Sequence, residues 1–173
     1  MSKGIYNVPV ASNEPVKSYE PGSPELEELM RTYKSMKNST IDVPLYIGSE
    51  QITCDQTINM TPPHDHQHVL GKASVGNQDH VRAAIKSALD AKQAWADMPW
   101  NQRVAIFLKA AELLTGPFRA RVNAATMLAQ SKNVFQAEID AACELIDFFK
   151  FNAEYVTQIY GEQPESLPGM WNR

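Results

Sequence analysis

Apolar positions recur at helical spacing through most of the second half of the chain. Val81, Ala84, Ile85, Ala88, Ala91, Ala94 and Trp95 fall three or four positions apart and predict a helix from about Gln78 to Asp97. Pro99 restarts a second helix, with Val104, Phe107, Leu108, Ala111 and Leu114 on one face. Gly116-Pro117 ends it and opens a third, from about Phe118 to Ser131. The fourth is the longest, about Val134 to Tyr160. At about 100° per residue, Phe135, Ile139, Ala142, Ile146, Phe149, Ala153 and Tyr160 form one stripe. Ala137, Ala141, Phe148, Phe151 and Tyr155 lie nearly opposite. Gln136, Asp147, Lys150, Glu154 and Thr157 form a polar wedge. A helix apolar on two sides needs partners on two sides. The three preceding helices can cover one, and the residues after Tyr160 do not supply the other.

The first half is more irregular. Pro9, Pro15 and Pro21 make residues 1–22 an extended arm. Ser23-Pro24-Glu25-Leu26 is a helix start, with Ser as N-cap, Pro at the first helical position and acids in the first turn. That helix is predicted to reach Lys37, with Leu26, Leu29, Met30 and Tyr33 on its apolar face. Val43 to Ile47 is strand-like, Gly48-Ser49 turns, and Glu50 to Thr53 returns, which predicts a hairpin. Ile58 to Met60 and His68 to Val75 are further strand candidates, with Gly71 at a bend. The fold class that follows is α+β by content: an arm and a β-hairpin, then a bundle of four helices. The expected divisions are 1–22 (arm), 23–76 (helix and short strands), 77–160 (helical region) and 161–173 (linker).

Composition narrows the function. The 173 residues are 43% hydrophobic and 21% charged, enough for one domain with a core. A net charge of −4 without a basic cluster argues against nucleic acid as a partner. No apolar run reaches the roughly 20 residues of a membrane span, and Met1 to Val10 shows no export or transit pattern. Cys54 and Cys143 form no disulfide framework. Only 8 glycines are present and none forms GxGxxG, so these residues carry no phosphate-cradling loop.

Several side chains could carry chemistry. His64-Asp65-His66-Gln67-His68 would align three imidazoles on one side of a strand, but Pro62-Pro63 makes the segment a polar loop rather than a metal site. Cys143, mid-helix and with no His after it, reads as a packed thiol, and Cys54 is no stronger as a nucleophile. The acids of the long helix stand out. Glu144 shares its face with Ala137, Ala141, Phe148, Phe151 and Tyr155, and Glu138 falls beside Leu145 and Phe149. A buried carboxylate is paired, protonated, or used to bind a cation. An internal pair with Arg103, Arg119 or Arg121 is the simplest outcome, and spacing does not choose between the two acids.

Certain runs carry a family resemblance. They are Asn13-Glu-Pro-Val16 with Gly22-Ser-Pro-Glu25, Pro63 to Gly71 leading into the Val81 helix, and Ile106-Phe-Leu-Lys-Ala-Ala111 with Gly116-Pro117. The most specific is Gln136 to Asn152, with Gln136-Ala-Glu-Ile-Asp140 and Glu144-Leu-Ile-Asp-Phe-Phe149. Over essentially its whole length the chain resembles the N-terminal part of the L-glutamate γ-semialdehyde (Δ1-pyrroline-5-carboxylate) dehydrogenases, a branch of the aldehyde dehydrogenases. Its opening and its ending Gly169-Met-Trp-Asn-Arg173 look like bacterial members of the Bacteroidetes type.

The resemblance implies the N-terminal part of an aldehyde dehydrogenase α/β fold. It implies NAD-dependent oxidation of the semialdehyde to L-glutamate in proline breakdown, through a thiolate attack and a glutamate-activated water. The family's nucleophilic Cys, general-base Glu, oxyanion-hole Asn and NAD contacts lie downstream of where this chain stops. The resemblance therefore reads the chain as an inactive N-terminal fragment, with NAD bound by the missing part and Cys143 not matching the nucleophile. It implies no catalytic, cofactor or metal residue here. Glu144 matches the glutamate near the substrate's α-amino end, and Phe148 and Phe149 wall the aldehyde's path. The full-length enzyme would be a homo-oligomer, with residues 41–60 packing subunits together or packing locally on the helices. It would be cytoplasmic in a bacterium and in the mitochondrial matrix of a eukaryote. The other reading is a non-enzymatic helical module that binds a partner through the two-sided long helix.

Overall fold

A computed structural model describes residues 7–172. The part of the expected arm before Asn7, and Arg173 at the end of the expected linker, lie outside the described residues. Helix α1 spans Pro24–Lys37 and begins as its sequence predicts. Ser23 Oγ accepts from the Leu26 N–H at 3.3 Å, and Glu25 and Glu27 occupy the first turn, where the helix dipole favours negative charge. Its fully buried Leu29 meets Tyr19 and Ala124 in one small core.

The expected strand Val43 to Ile47 is two strands. Pro44 has no N–H for a ladder and divides β1 (Ile41–Val43) from β2 (Leu45–Ile47). The hairpin forms as expected: β2 pairs antiparallel with β3 (Glu50–Ile52) across Gly48-Ser49, with Gly48 at a φ of 61°. The expected strand from His68 shortens to β5 (Gly71–Ser74), because the chain before it closes two turns, Asp65 N–H to Pro62 O and His68 N–H to Asp65 O. β5 is the centre of a three-stranded sheet, parallel to β1 and antiparallel to β4 (Thr57–Met60).

Gly71 is required at the crossing. A Cβ there would fall 1.7 Å from the Ile41 carbonyl oxygen, and its φ of 153° is one that other residues rarely adopt. Gly71→Ala is expected to part β1 from β5 and to cost about 2 kcal/mol or more in a urea denaturation. An unchanged midpoint would mean the two strands are not held this closely.

Helix α2 spans Gln78–Asp97, as predicted, behind an Asn77–His80 capping box. Its apolar stripe, however, is not core. No residue of α2 is buried, and Val81, Ile85 and Leu89 are each more than half exposed. The expected four-helix bundle is therefore two packed pairs with α2 set apart, lying chiefly against β2. The physical reason lies in the other helices. α1 packs on α4 (Arg119–Gln130) and α3 (Trp100–Thr115) on the long helix, so the packing faces that these helices use are taken by one another and not by α2.

The long helix is not continuous. It consists of α5 (Val134–Ala137), a π-helical segment (Glu138–Cys143) and α6 (Glu144–Gly161). One π turn takes up an extra residue and turns the helix before it by roughly 100° relative to uninterrupted α-helix. This moves Ala137 and Glu138 inward. Both are fully buried, with Ala142, Cys143, Ile146 and Ala153 continuing the buried line. Ala111 of α3 packs on Ala142 and Ile146 in a second small core, with Leu114 and Phe149 at its margin.

Candidate functional site

Of the two acids that spacing left open, Glu138 is the buried one. Its carboxylate accepts from Arg119 Nε at 3.2 and 3.3 Å and from Arg119 Nη2. It also accepts from the Lys17 backbone N–H at 2.9 Å, and from Tyr19 Oη and Asn123 Nδ2 at 2.8 Å each. Burial alone would raise this carboxyl. The hydrogen bonds, led by Arg119, outweigh burial and hold it down at about 2. Arg119 also pairs with the buried Glu14, which accepts from Lys150 Nζ at 2.7 Å. Of the three arginines the sequence offered as partners, Arg119 is the one used.

This network ties the arm to the helices. Arg119 Nη2 donates to Pro15 O at 2.8 Å, Asp147 accepts the Glu14 N–H at 2.6 Å, and Glu154 accepts the Ala11 N–H at 2.7 Å. Glu14, Tyr19 and Asn123 were not legible as partners. The sole sign was that Glu14 falls within the Asn13 to Val16 run that carries the resemblance. Cys143 lies against the same network, its Sγ 3.4 Å from Arg119 Nη2. Burial and the Glu138 charge push its thiol up to about 11. It is a neutral packed thiol, as its mid-helix position suggested.

Glu144 is different. It is the first residue of α6, exposed, and makes no hydrogen bond or ion pair among the described residues. Phe148 follows one turn later on the same face and is 62% exposed, and Tyr155 extends the face at 48%. The structure thus sets an uncompensated carboxylate at the head of an aromatic stripe. Phe149 packs toward α3, its ring 5.8 Å from that of Phe107.

Phe148 and Phe149 both line a groove of about 490 Å³ between α3 and α6. Trp95, Trp100 and Tyr160 complete its aromatic wall, with Trp100 stacked on Tyr160 at 5.7 Å and Arg103 Nη2 donating to Tyr160 Oη at 2.7 Å. Glu144 does not line this groove; it stands one turn before Phe148, on the exposed side. Such a surface can attract an ammonium group and shelter an apolar chain beside it.

The remaining candidates are placed as follows. The histidine segment lies in turns, not on a strand, so its imidazoles do not share a side; His64 Nδ1 is 2.6 Å from Ser131 Oγ. Among the described residues, no group of three His, Cys, Asp or Glu side chains is placed to hold a metal, and no helix is long and apolar enough to cross a membrane. Nor is there a Gly-rich strand-to-helix turn for a pyrophosphate among the described residues: α1, α2 and α5 start behind the capping side chains of Ser23, Asn77 and Asn133, and α3 and α4 start after Pro99 and Phe118.

Comparison with known proteins supplies the family. The chain is 45% identical over 170 residues to a Delta-1-pyrroline-5-carboxylate dehydrogenase of Agaricus bisporus, covering 97% of this chain and 31% of that protein. It is 42% identical to the mitochondrial Delta-1-pyrroline-5-carboxylate dehydrogenase of Bos taurus, covering 93% of this chain and 29% of that protein. Its backbone superposes on the Mycobacterium tuberculosis Delta-pyrroline-5-carboxylate dehydrogenase bound with NAD at a TM-score of 0.97. That match has 46% identity and covers 99% of this chain and 32% of the other. The chain thus spans about a third of the length of these relatives. Residues 50–172 match the aldehyde dehydrogenase family, and by that match, which takes in well over half of its residues, the chain belongs to the aldehyde dehydrogenase family.

Proposed function

We propose that the polypeptide carrying these residues oxidises L-glutamate γ-semialdehyde to L-glutamate, with NAD as hydride acceptor, in proline breakdown. The observation that carries this reading is identity of 45–46% across 97–99% of the chain to proteins named for that activity. NAD, when bound, accepts the hydride; the described residues supply no cradle for it. Their part is on the substrate side. The carboxylate of Glu144, with no internal partner, draws the substrate's α-ammonium, and Phe148 and Phe149 keep water from the aldehyde arm. Cys143 is not the nucleophile, because it is buried and remains a thiol at neutral pH.

The same reading makes the enzyme a homo-oligomer. The hairpin region 41–60 serves as an interaction surface, on which Tyr46 and Ile58 stand 71% and 58% exposed. It places the enzyme in the bacterial cytoplasm, or in the mitochondrial matrix, as the bovine relative's name states for that protein.

The test is a substrate comparison on the complete enzyme, followed by NADH absorbance. The expected kcat/KM for glutamate γ-semialdehyde exceeds that for hexanal by about a hundredfold or more, on the order of 3 kcal/mol of discrimination. Equal values for the two aldehydes would overturn the assignment of substrate.

A further inference from the structure

A cavity of about 610 Å³ opens between α1, α4 and β1, and no residue of α6 lines it. Its floor is apolar, built from side chains such as Met36, Ile41 and Leu128. Arg31 of α1 and Arg121 of α4 line it, with the hydroxyls of Thr32, Ser35 and Ser39. No carboxylate lines it among the described residues. Asp42, between Ile41 and Val43 on β1, alternates to the other face of the strand.

The arginines single this cavity out. Arg82 pairs with Asp79, Arg103 bonds Tyr160, and Arg119 holds Glu14 and Glu138. Arg31 and Arg121 make no ion pair or hydrogen bond among the described residues, in a chain whose net charge is −4. For Arg31 the partners are at hand. Glu27 and Glu28 sit at the i−4 and i−3 positions of the same helix, the spacing at which such pairs form, yet neither bonds it. Two arginines from different helices, both exposed to solvent and without an internal partner, therefore line one cavity with an apolar floor.

We propose that this cavity binds a small amphipathic anion: a carboxylate or phosphate monoester on an apolar body, taken as a free molecule from solution. Guanidinium groups match such a head with paired, charge-assisted hydrogen bonds, and the floor buries the body. The proposal does not depend on the dehydrogenase reading.

Calorimetric titration of the full chain with octanoate and octyl phosphate tests it, with octan-1-ol and octyltrimethylammonium as comparators. Saturable binding of either anion, at least about tenfold tighter than the alcohol, is the expected result. Octanoate alone would identify a carboxylate site and octyl phosphate alone a phosphate site. The double variant Arg31→Gln, Arg121→Gln should weaken the anion at least about tenfold with an unchanged thermal melt. Ala129→Trp, which fills the cavity and keeps both arginines, should abolish binding, and decides the matter if the double variant fails to fold. Alcohol and anion binding alike, binding undiminished in the variants, or association only with phosphatidylserine vesicles would overturn the proposal.

Discussion

Glu138→Ala is expected to lower the folding stability of the chain by about 3–5 kcal/mol, a large share of the stability of a domain this size. The cost comes less from the lost bonds than from what stays behind. Arg119 is buried, and without Glu138 its charge is met by Glu14 alone. Tyr19 Oη and the Lys17 N–H lose their acceptor at the same time, and Asn123 Nδ2 keeps only Tyr19 Oη, at 2.9 Å. The arm would loosen with them. Urea denaturation at pH 7, followed by tryptophan fluorescence, measures the effect, and a loss under about 1 kcal/mol would contradict the role given to this network.

The pH dependence has a definite sign. The Glu138 carboxyl falls from 4.5 to about 2 on folding, so the native state binds its proton less readily than the unfolded chain. Its contribution is complete above pH 4.5 and is lost as the pH falls toward 2. Glu14, whose carboxyl is also lowered, acts in the same direction. Glu138→Ala should flatten the acid limb of the stability curve over that window.

Glu144→Ala, made in the complete enzyme, is expected to raise KM for glutamate γ-semialdehyde about tenfold or more while changing kcat much less. Hexanal, which has no ammonium group, should be oxidised as before. The argument is electrostatic. Glu144 has no internal partner among the described residues, and the aromatic face beside it lowers the local polarity in which it would meet a cation. Glu144→Gln keeps the shape and removes the charge, and should resemble the alanine variant. An equal loss for both aldehydes would mean that the side chain supports the helix rather than reads the substrate.

Local signals in the sequence were reliable where one residue type fixes one geometry. Ser23-Pro24 starts α1, and Gly48-Ser49 turns the hairpin. Each depends on neighbours within a few positions. Burial depends on distant surfaces and was harder to read. The stripe through Val81 and Ile85 is amphipathic, and periodicity identifies the apolar side without saying what meets it.

The long helix shows a second limit. On an uninterrupted α-helix Ala137 falls with Phe148 and the two acids are equivalent. The π segment turns the helix, buries Ala137 and Glu138, and leaves Glu144 outside. No residue in Glu138–Cys143 announces this. The π turn is the geometry that lets Glu138 reach Arg119 while α6 stays packed on α3. The residues that carry the resemblance were legible for the same reason as the caps, because they form contiguous runs.

The central claim is the reaction itself, and product stoichiometry tests it most directly. The complete enzyme, supplied with glutamate γ-semialdehyde and NAD, should form one L-glutamate for each NADH. Loss of the semialdehyde without matching NADH and glutamate, or no turnover of it at all, would contradict the account.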